Sequence, residues 1–428
     1  MLRRDFLKYS AMTSATLFYC PVSIEANYFS TPHIVICGAG YAGLSVAKYL
    51  KEFNPHLRIT LIEKNRQFVS CPFSNAYLGE VQDVTLDTLT FDYAKTMKTF
   101  GYAFINEEVI DINRKSKEVS TPTQTLSYDF LILCGGIEYN YDALNLSAKL
   151  CEELKQKAPA GLKPPFEHQQ LKHMIETFQG GNFIISVPSG NYKCPPAPYE
   201  RACMIAYYFK THAIKGKVII LDPREKPAAK SKEFLEIFET LYKEYIEFQG
   251  LSNFKTIDFA TKQIIVETFD KEALEYVEKS ISFESANIIP PNKANDLIAL
   301  ASLELTSEGW AKLKEPTFQS SLDEHVYILG DAQGQYPFPK SAQMANSSAL
   351  QVALEINHAL LNRPFDYTNN TLGNICYSFI SNTKAVSIAH TFTYEPAIKT
   401  TFMISPIDEG TALSAKLWYE GLTSTILG

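Results

Sequence analysis

From residue 33 the chain runs HIVIC, a short continuous apolar stretch, then GAGYAG, then LSVAKYL with apolar positions at helical spacing. This pattern predicts a buried strand, a tight turn and a helix. A second apolar run, RITLI at 58–62, predicts a parallel neighbour and ends at Glu63. The same order returns later: GNFIIS (181–186) is apolar, a proline-bearing loop follows, PYERACMIAYYFK has a helical apolar face, and GKVIIL (216–221) supplies the next strand. Two more buried strands are predicted in YDFLILCGG (128–136) and HVYILGDAQG (325–334). Residues 138–170, rich in Lys, Glu, Pro and Ala, read as an exposed connection carrying Cys151. The final LSAKLWYEGLTSTILG is mildly apolar, with no extended amphipathic segment evident.

The first turn has the spacing Gly38-x-Gly40-x-x-Gly43. Gly38 permits the tight turn, Gly40 lets the backbone approach a pyrophosphate, and Gly43 lets helix and strand pack closely. The helix N-terminus offers free N–H groups to the anion. Glu63 lies 20 residues after Gly43, where a carboxylate can accept the ribose hydroxyls. Gly135, in the Gly-Gly after 128–133, marks a strand that returns beside FAD in two-dinucleotide flavoproteins. Gly330-Asp331 follows the last strand, and such an aspartate accepts from a ribityl hydroxyl. The order of the three signals points to FAD. The fold class expected is α/β: two Rossmann-like dinucleotide-binding domains plus a small α+β C-terminal interface domain. The FAD domain is placed at 30–145 and 295–365, the second domain at 146–294, and the interface domain at 366–428.

In the second βαβ unit the turn reads PSGNYKCPP (188–196). Its prolines remove N–H donors and stiffen the loop, and the glycines needed for a second pyrophosphate are missing. An NAD-like domain without an NAD site is expected, with Cys194 in the vacated turn. Cys37, Cys134 and Cys203 lie in apolar runs and read as core.

The N-terminus changes the picture of where this chemistry happens. Arg3-Arg4-Asp5-Phe6-Leu7-Lys8 precedes an apolar run of about 11 residues, a Tat-type export signal over residues 1–26 and too short for the ~20 residues of a span. The expected location is the periplasm. Seven cysteines then remain, at 37, 71, 134, 151, 194, 203 and 376, an odd number in a compartment that permits disulfides. The net charge of −7 gives no support to nucleic-acid binding, which favours a basic face. No metal site is expected.

SCPFSN, KCPPAPYERA, GDAQGQYPFPKSAQMANSSA, NICYSF and LWYEG, with the fingerprint and the export signal, make the chain resemble the flavoprotein subunit of flavocytochrome c sulfide dehydrogenase, related to sulfide:quinone oxidoreductases. The resemblance implies FAD held covalently through a thioether at Cys71. It implies a redox-active pair of Cys194 and Cys376, 182 residues apart. Glu200, six residues after Cys194 at a helix start, would handle protons. Lys340 and Trp418 would lie near the flavin. The activity implied is oxidation of hydrosulfide to sulfur or polysulfide, with a c-type cytochrome as electron acceptor. Two alternatives stay open: a sulfide:quinone oxidoreductase, or a non-catalytic flavin-bearing sulfur-binding partner.

Overall fold

The computed structural model describes residues 31–428. The export signal read at 1–26 lies outside the described residues. Five parallel strands form the first sheet, in the order Val326–Ile328, Phe130–Leu133, His33–Cys37, Arg58–Ile62, Ala103–Ile105. The central strand is buried along its whole length, which explains why it reads as continuous rather than alternating. Ile34 and Ile36 pack into one layer with Leu44, Ala47 and Leu50 of the helix Tyr41–Phe53 and with Val352 and Ile356 of the helix Ala342–Leu360. Val35 and Cys37 pack into the opposite layer with Leu131 and Ile328. Close approach at the first turn is strict. Gly38 has φ +104°, and a Cβ on Gly43 would sit 1.9 Å from the Gly38 carbonyl oxygen.

The second unit repeats the plan with four parallel strands, Ile246–Gln249, Gly216–Leu221, Gly181–Ser186 and Ser285–Ile288. Its crossover helix, Ala197–Thr211, buries Tyr199, Cys203, Met204 and Phe209. An antiparallel three-stranded sheet, Ser252–Asp258, Gln263–Asp270 and Glu275–Ser282, is appended. The two chain crossings between the units pair with each other: Ile137–Tyr139 runs antiparallel to Asn292–Ala294.

The C-terminal portion is α+β. Thr371–Phe379, Ala385–Tyr394 and Ile398–Ile404 form an antiparallel sheet covered by the helix Glu409–Leu427. Asp408 caps that helix by accepting from Thr411 N at 2.7 Å.

One sequence expectation is corrected. The segment 138–170 is not an exposed connection. It contains the helices Ala148–Lys157 and Phe166–Glu176, Cys151 is buried, and Ala158, Ala160 and Leu162 lie in the core. The Arg201 guanidinium draws it inward by donating to the carbonyls of Ala160 (2.9 Å) and Gly161. The C-terminal run forms a 19-residue helix that leaves Leu413 and Leu417 exposed, one turn apart. Among the described residues no helix is long and apolar enough to cross a membrane.

Candidate flavin and cysteine site

A cavity of about 780 Å³ opens where the C-terminal ends of the first sheet meet the second unit and the C-terminal sheet, the usual position for a ligand on such a sheet. Gly38, Gly40, Glu63, Cys71, Gly135, Gly330, Asp331, Cys194, Glu200, Lys340, Cys376 and Trp418 all line it. Gly43 does not; it stands behind the turn and sets the helix's approach.

The nucleotide end fits a dinucleotide. A Cβ built on Gly40 meets nothing within 4 Å, so the space in front of the turn is open. The helix Tyr41–Phe53 carries no side-chain cap and no acidic residue in its first turn, leaving its N–H groups for an anion. Glu63 is held in place by accepting from Ala39 N (2.9 Å) and Asn65 N (2.8 Å). Asp331 faces the Lys193 ammonium at 3.7 Å.

The stretch SCPFSN forms a pinned loop. Tyr41 and Ser70 share a hydroxyl hydrogen bond of 2.8 Å, and Ser70 Oγ donates to Pro72 O at 2.9 Å. Phe73 adopts φ +70° and starts the short helix Ser74–Gly79. Cys71 thereby projects into the cavity, half-buried, its Sγ 3.8 Å from Leu162 O.

Cys194 and Cys376 reach this cavity from different parts of the fold. Cys194 has φ +54° in the proline-rich turn. Its N–H donates to Lys340 O at 3.0 Å and its carbonyl accepts from Ala197 N at 2.8 Å. Cys376 stands on Thr371–Phe379, with Asn374 Nδ2 3.6 Å from its Sγ. Both are free thiols. Burial pushes the Cys194 thiol well up, and the facing Cys376, Cys71 and Glu200 push it further. Burial also raises Cys376, but here the Lys230 ammonium and the side chains of Asn374 and Ser341 oppose it.

Glu200 is more than a helix-start charge. It is buried, accepts from Asn75 Nδ2 (3.0 Å) and from Phe379 N (2.8 Å), and burial holds its carboxyl above the ordinary range. The Lys340 ammonium donates to the carbonyls of Asp331 (2.9 Å) and Gln333 (2.6 Å) and lies 3.5 Å from the Trp310 ring centre. Burial pulls it down to about 7. Lys340 meets Cys194 through its backbone carbonyl rather than its ammonium. Trp418 donates from Nε1 to Gln343 Oε1 at 2.8 Å.

The second nucleotide turn is filled by its own side chains. Arg224 donates to the carbonyls of Pro188 (3.1 Å) and Gly190 (2.6 Å) and covers the Tyr192 ring. Asp222 follows its strand as Glu63 follows the first, yet it is fully buried and engaged by Tyr199 and Arg224.

Sequence reasoning missed Lys230, Lys193, Asn75 and Arg201. Asn75, Lys193 and Arg201 carried a signal, lying inside SCPFSN and KCPPAPYERA, whereas Lys230 lies in neither.

Three family models match the chain. Residues 32–156 match "Pyridine nucleotide-disulphide oxidoreductase". Residues 167–290 match "Sulfide dehydrogenase [flavocytochrome c] flavoprotein chain, central". Residues 369–427 match "Flavocytochrome c sulphide dehydrogenase, flavin-binding". The sulfide dehydrogenase flavoprotein chain of Chlorobaculum thiosulfatiphilum is 48% identical over 46 residues, 11% of this chain and 96% of that sequence. A mitochondrial sulfide:quinone oxidoreductase of Dictyostelium discoideum is 25% identical over 352 residues, 78% of this chain and 74% of the relative. The crystal structure of sulfide:quinone oxidoreductase from Aquifex aeolicus superposes with a TM-score of 0.74 at 17% identity, covering 92% of this chain and 91% of that one. That likeness establishes the shared fold.

Proposed function

Because the chain belongs to the flavoproteins of flavocytochrome c sulfide dehydrogenase, within the superfamily of sulfide:quinone oxidoreductases, we propose that it oxidises hydrosulfide to sulfur or polysulfide through Cys194 and Cys376 and passes the electrons to a c-type cytochrome. Its cofactor is FAD. The observation that carries the reading is the meeting of Cys194, Cys376 and Glu200 on the cavity into which the dinucleotide fingerprint opens.

In this reading the resting pair is a disulfide. HS⁻ attacks one sulfur, forming a persulfide and releasing the other as a thiolate. A second hydrosulfide takes the outer sulfur away as HS–S⁻, or a thiol RSH takes it as RS–SH; both cysteines are left reduced, and re-forming their disulfide would release two electrons to a bound flavin. Burial raises the Glu200 carboxyl above its ordinary range, which suits it to exchange a proton beside the sulfurs. Asp331, Glu63 and the Gly38–Gly43 turn would bind FAD, and Cys71 would tether it by a thioether. Bound FAD supplies an acceptor for two electrons together and a donor of single electrons suited to a haem. The plugged second turn supports a domain without nicotinamide, and the Tat-type signal supports work in the periplasm.

A second reading has one observation behind it. Phe402 (66% exposed), Met403 (72%), Leu413 (59%) and Leu417 (59%) lie bare on the C-terminal domain, as an enzyme reducing quinone at a membrane would require. One experiment separates the readings. Sulfide added anaerobically should bleach the flavin, and cytochrome c should restore its colour faster than a short-chain quinone. Faster recovery with the quinone would favour the second reading. Absence of bleaching would favour a non-catalytic sulfur-binding partner.

A further inference from the structure

Lys230 stands in the run KPAAKSK, where its neighbours Lys226 and Lys232 are exposed. Its own side chain is 2% exposed. The ammonium crosses from the second nucleotide unit into the C-terminal sheet, donating to Ser378 Oγ (2.7 Å), Cys376 O (3.1 Å) and Val386 O (3.4 Å). Among the described residues it forms no ion pair, whereas the buried Lys48 and Lys172 each meet a carboxylate; the buried Lys340, also unpaired, is met by carbonyls and the Trp310 ring. A buried ammonium without an anion is costly, because neutral acceptors replace only part of its hydration.

The groups that face it are few: Cys376 and Cys194, Glu200 on the crossover helix, Glu233 on its own helix, and His390 on the adjoining strand. Burial favours the acid form of Glu200. His390 is held below its ordinary value, by burial and then by Lys230, so it stays neutral. Glu233 acts on Lys230 only through space, forms no ion pair with it and does not line the cavity, so within the cavity sulfur is the remaining place for a negative charge. The two sulfurs differ. Cys376 has Lys230 on its backbone carbonyl and Asn374 Nδ2 at 3.6 Å, whereas Cys194 is faced by the acidic groups of Cys376, Cys71 and Glu200.

We propose that Lys230 is the positioning residue that favours negative charge on the Cys376 sulfur over the Cys194 sulfur, so that opening the Cys194–Cys376 disulfide leaves the persulfide on Cys194. The proposal rests on the cysteine-pair reading above. The sulfur of HS⁻ bonds to Cys194 Sγ, the Cys194–Cys376 bond breaks, and its electron pair departs with Cys376 Sγ. The products are Cys194–S–SH and Cys376–S⁻, with charge conserved and no other oxidant needed. The better-stabilised thiolate is the faster leaving group.

The wild-type holoprotein tests this first. One equivalent of sulfide is added anaerobically, the reaction is quenched with iodoacetamide, and the cysteine peptides are weighed. The alkylated persulfide is expected on the Cys194 peptide. Finding it on the Cys376 peptide overturns the proposal but leaves the cysteine pair standing. Finding it on neither sinks the cysteine-pair reading and the proposal with it. Alkylation of the reduced holoprotein then tests Lys230 itself. In Lys230→Met, Cys376 at pH 7 should react about tenfold more slowly, with its pH profile moved upward, while Lys230→Arg restores the wild-type profile. An unchanged Cys376 profile in a Lys230→Met protein that retains flavin removes Lys230 from the account. Should that variant lose its flavin, the wild-type persulfide position and the Lys230→Arg profile still decide.

Discussion

Glu200→Gln isolates the buried carboxyl from the sulfur chemistry around it. In the native protein one carboxyl oxygen accepts from Phe379 N and the other from Asn75 Nδ2. A glutamine can keep its oxygen on Phe379 N, a backbone donor that cannot turn. Its amide nitrogen then faces the amide of Asn75, which cannot flip to help. Asn75 Oδ1 already accepts from Arg201 Nε (3.2 Å), and its Nδ2 also serves Ala197 O (3.2 Å). One hydrogen bond is lost and a buried donor is left unmatched, together costing about 1–3 kcal/mol. The size of this gap depends on pH in a definite direction. Burial raises the folded-state value of Glu200, so the folded protein binds this proton more tightly than the unfolded chain. Its contribution is full below the unfolded value of about 4.3 and is lost as pH rises through the raised folded value. Glutamine does not titrate. The wild type should therefore exceed the variant by most near pH 5, and the gap should shrink towards pH 8. Thermal melts of the FAD-loaded proteins, followed by flavin fluorescence and circular dichroism across that range, measure it. A gap that is constant, or that widens as pH rises, refutes the reasoning.

Three other outcomes are expected. Gly43→Ala places a methyl 1.9 Å from the Gly38 oxygen, so the purified protein should carry much less FAD and lose about 1–3 kcal/mol; full flavin content would show that the turn can relax. Cys71→Ser should retain noncovalent FAD while its residue-71 peptide loses an added flavin mass seen in the wild type, and a wild-type peptide without that mass would remove the thioether. Under anaerobic conditions NADH and NADPH should leave the flavin oxidised, because Arg224, Tyr192 and the prolines fill the second turn; bleaching would mean that this turn opens.

Local chemistry was legible in the sequence wherever the chain itself dictates geometry. The fingerprint, Glu63 and the two parallel sheets follow from glycine spacing and continuous apolar runs. The proline-rich turn was legible as one that lacks the glycine spacing of the first. Long-range convergence was not legible in this way: Cys194 and Cys376 could be paired only through a family resemblance, because nothing between them encodes the meeting. Lys230 was hidden for a related reason. A lysine among lysines reads as solvated, and its acceptors lie 146 or more residues further on. Residues 158–165 misled through composition, since Ala, Pro, Gly and Lys suggest an exposed loop. A single guanidinium 40 residues later binds their carbonyls and buries them.

The most direct measurement concerns the sulfurs themselves: the rate at which anaerobic sulfide bleaches the flavin in Cys194→Ala and Cys376→Ala, compared with wild type. Loss of either half of the pair removes the electrophilic disulfide, so both variants should keep their flavin yet bleach slower by about a hundredfold or more. Bleaching at the wild-type rate in either variant would contradict the account.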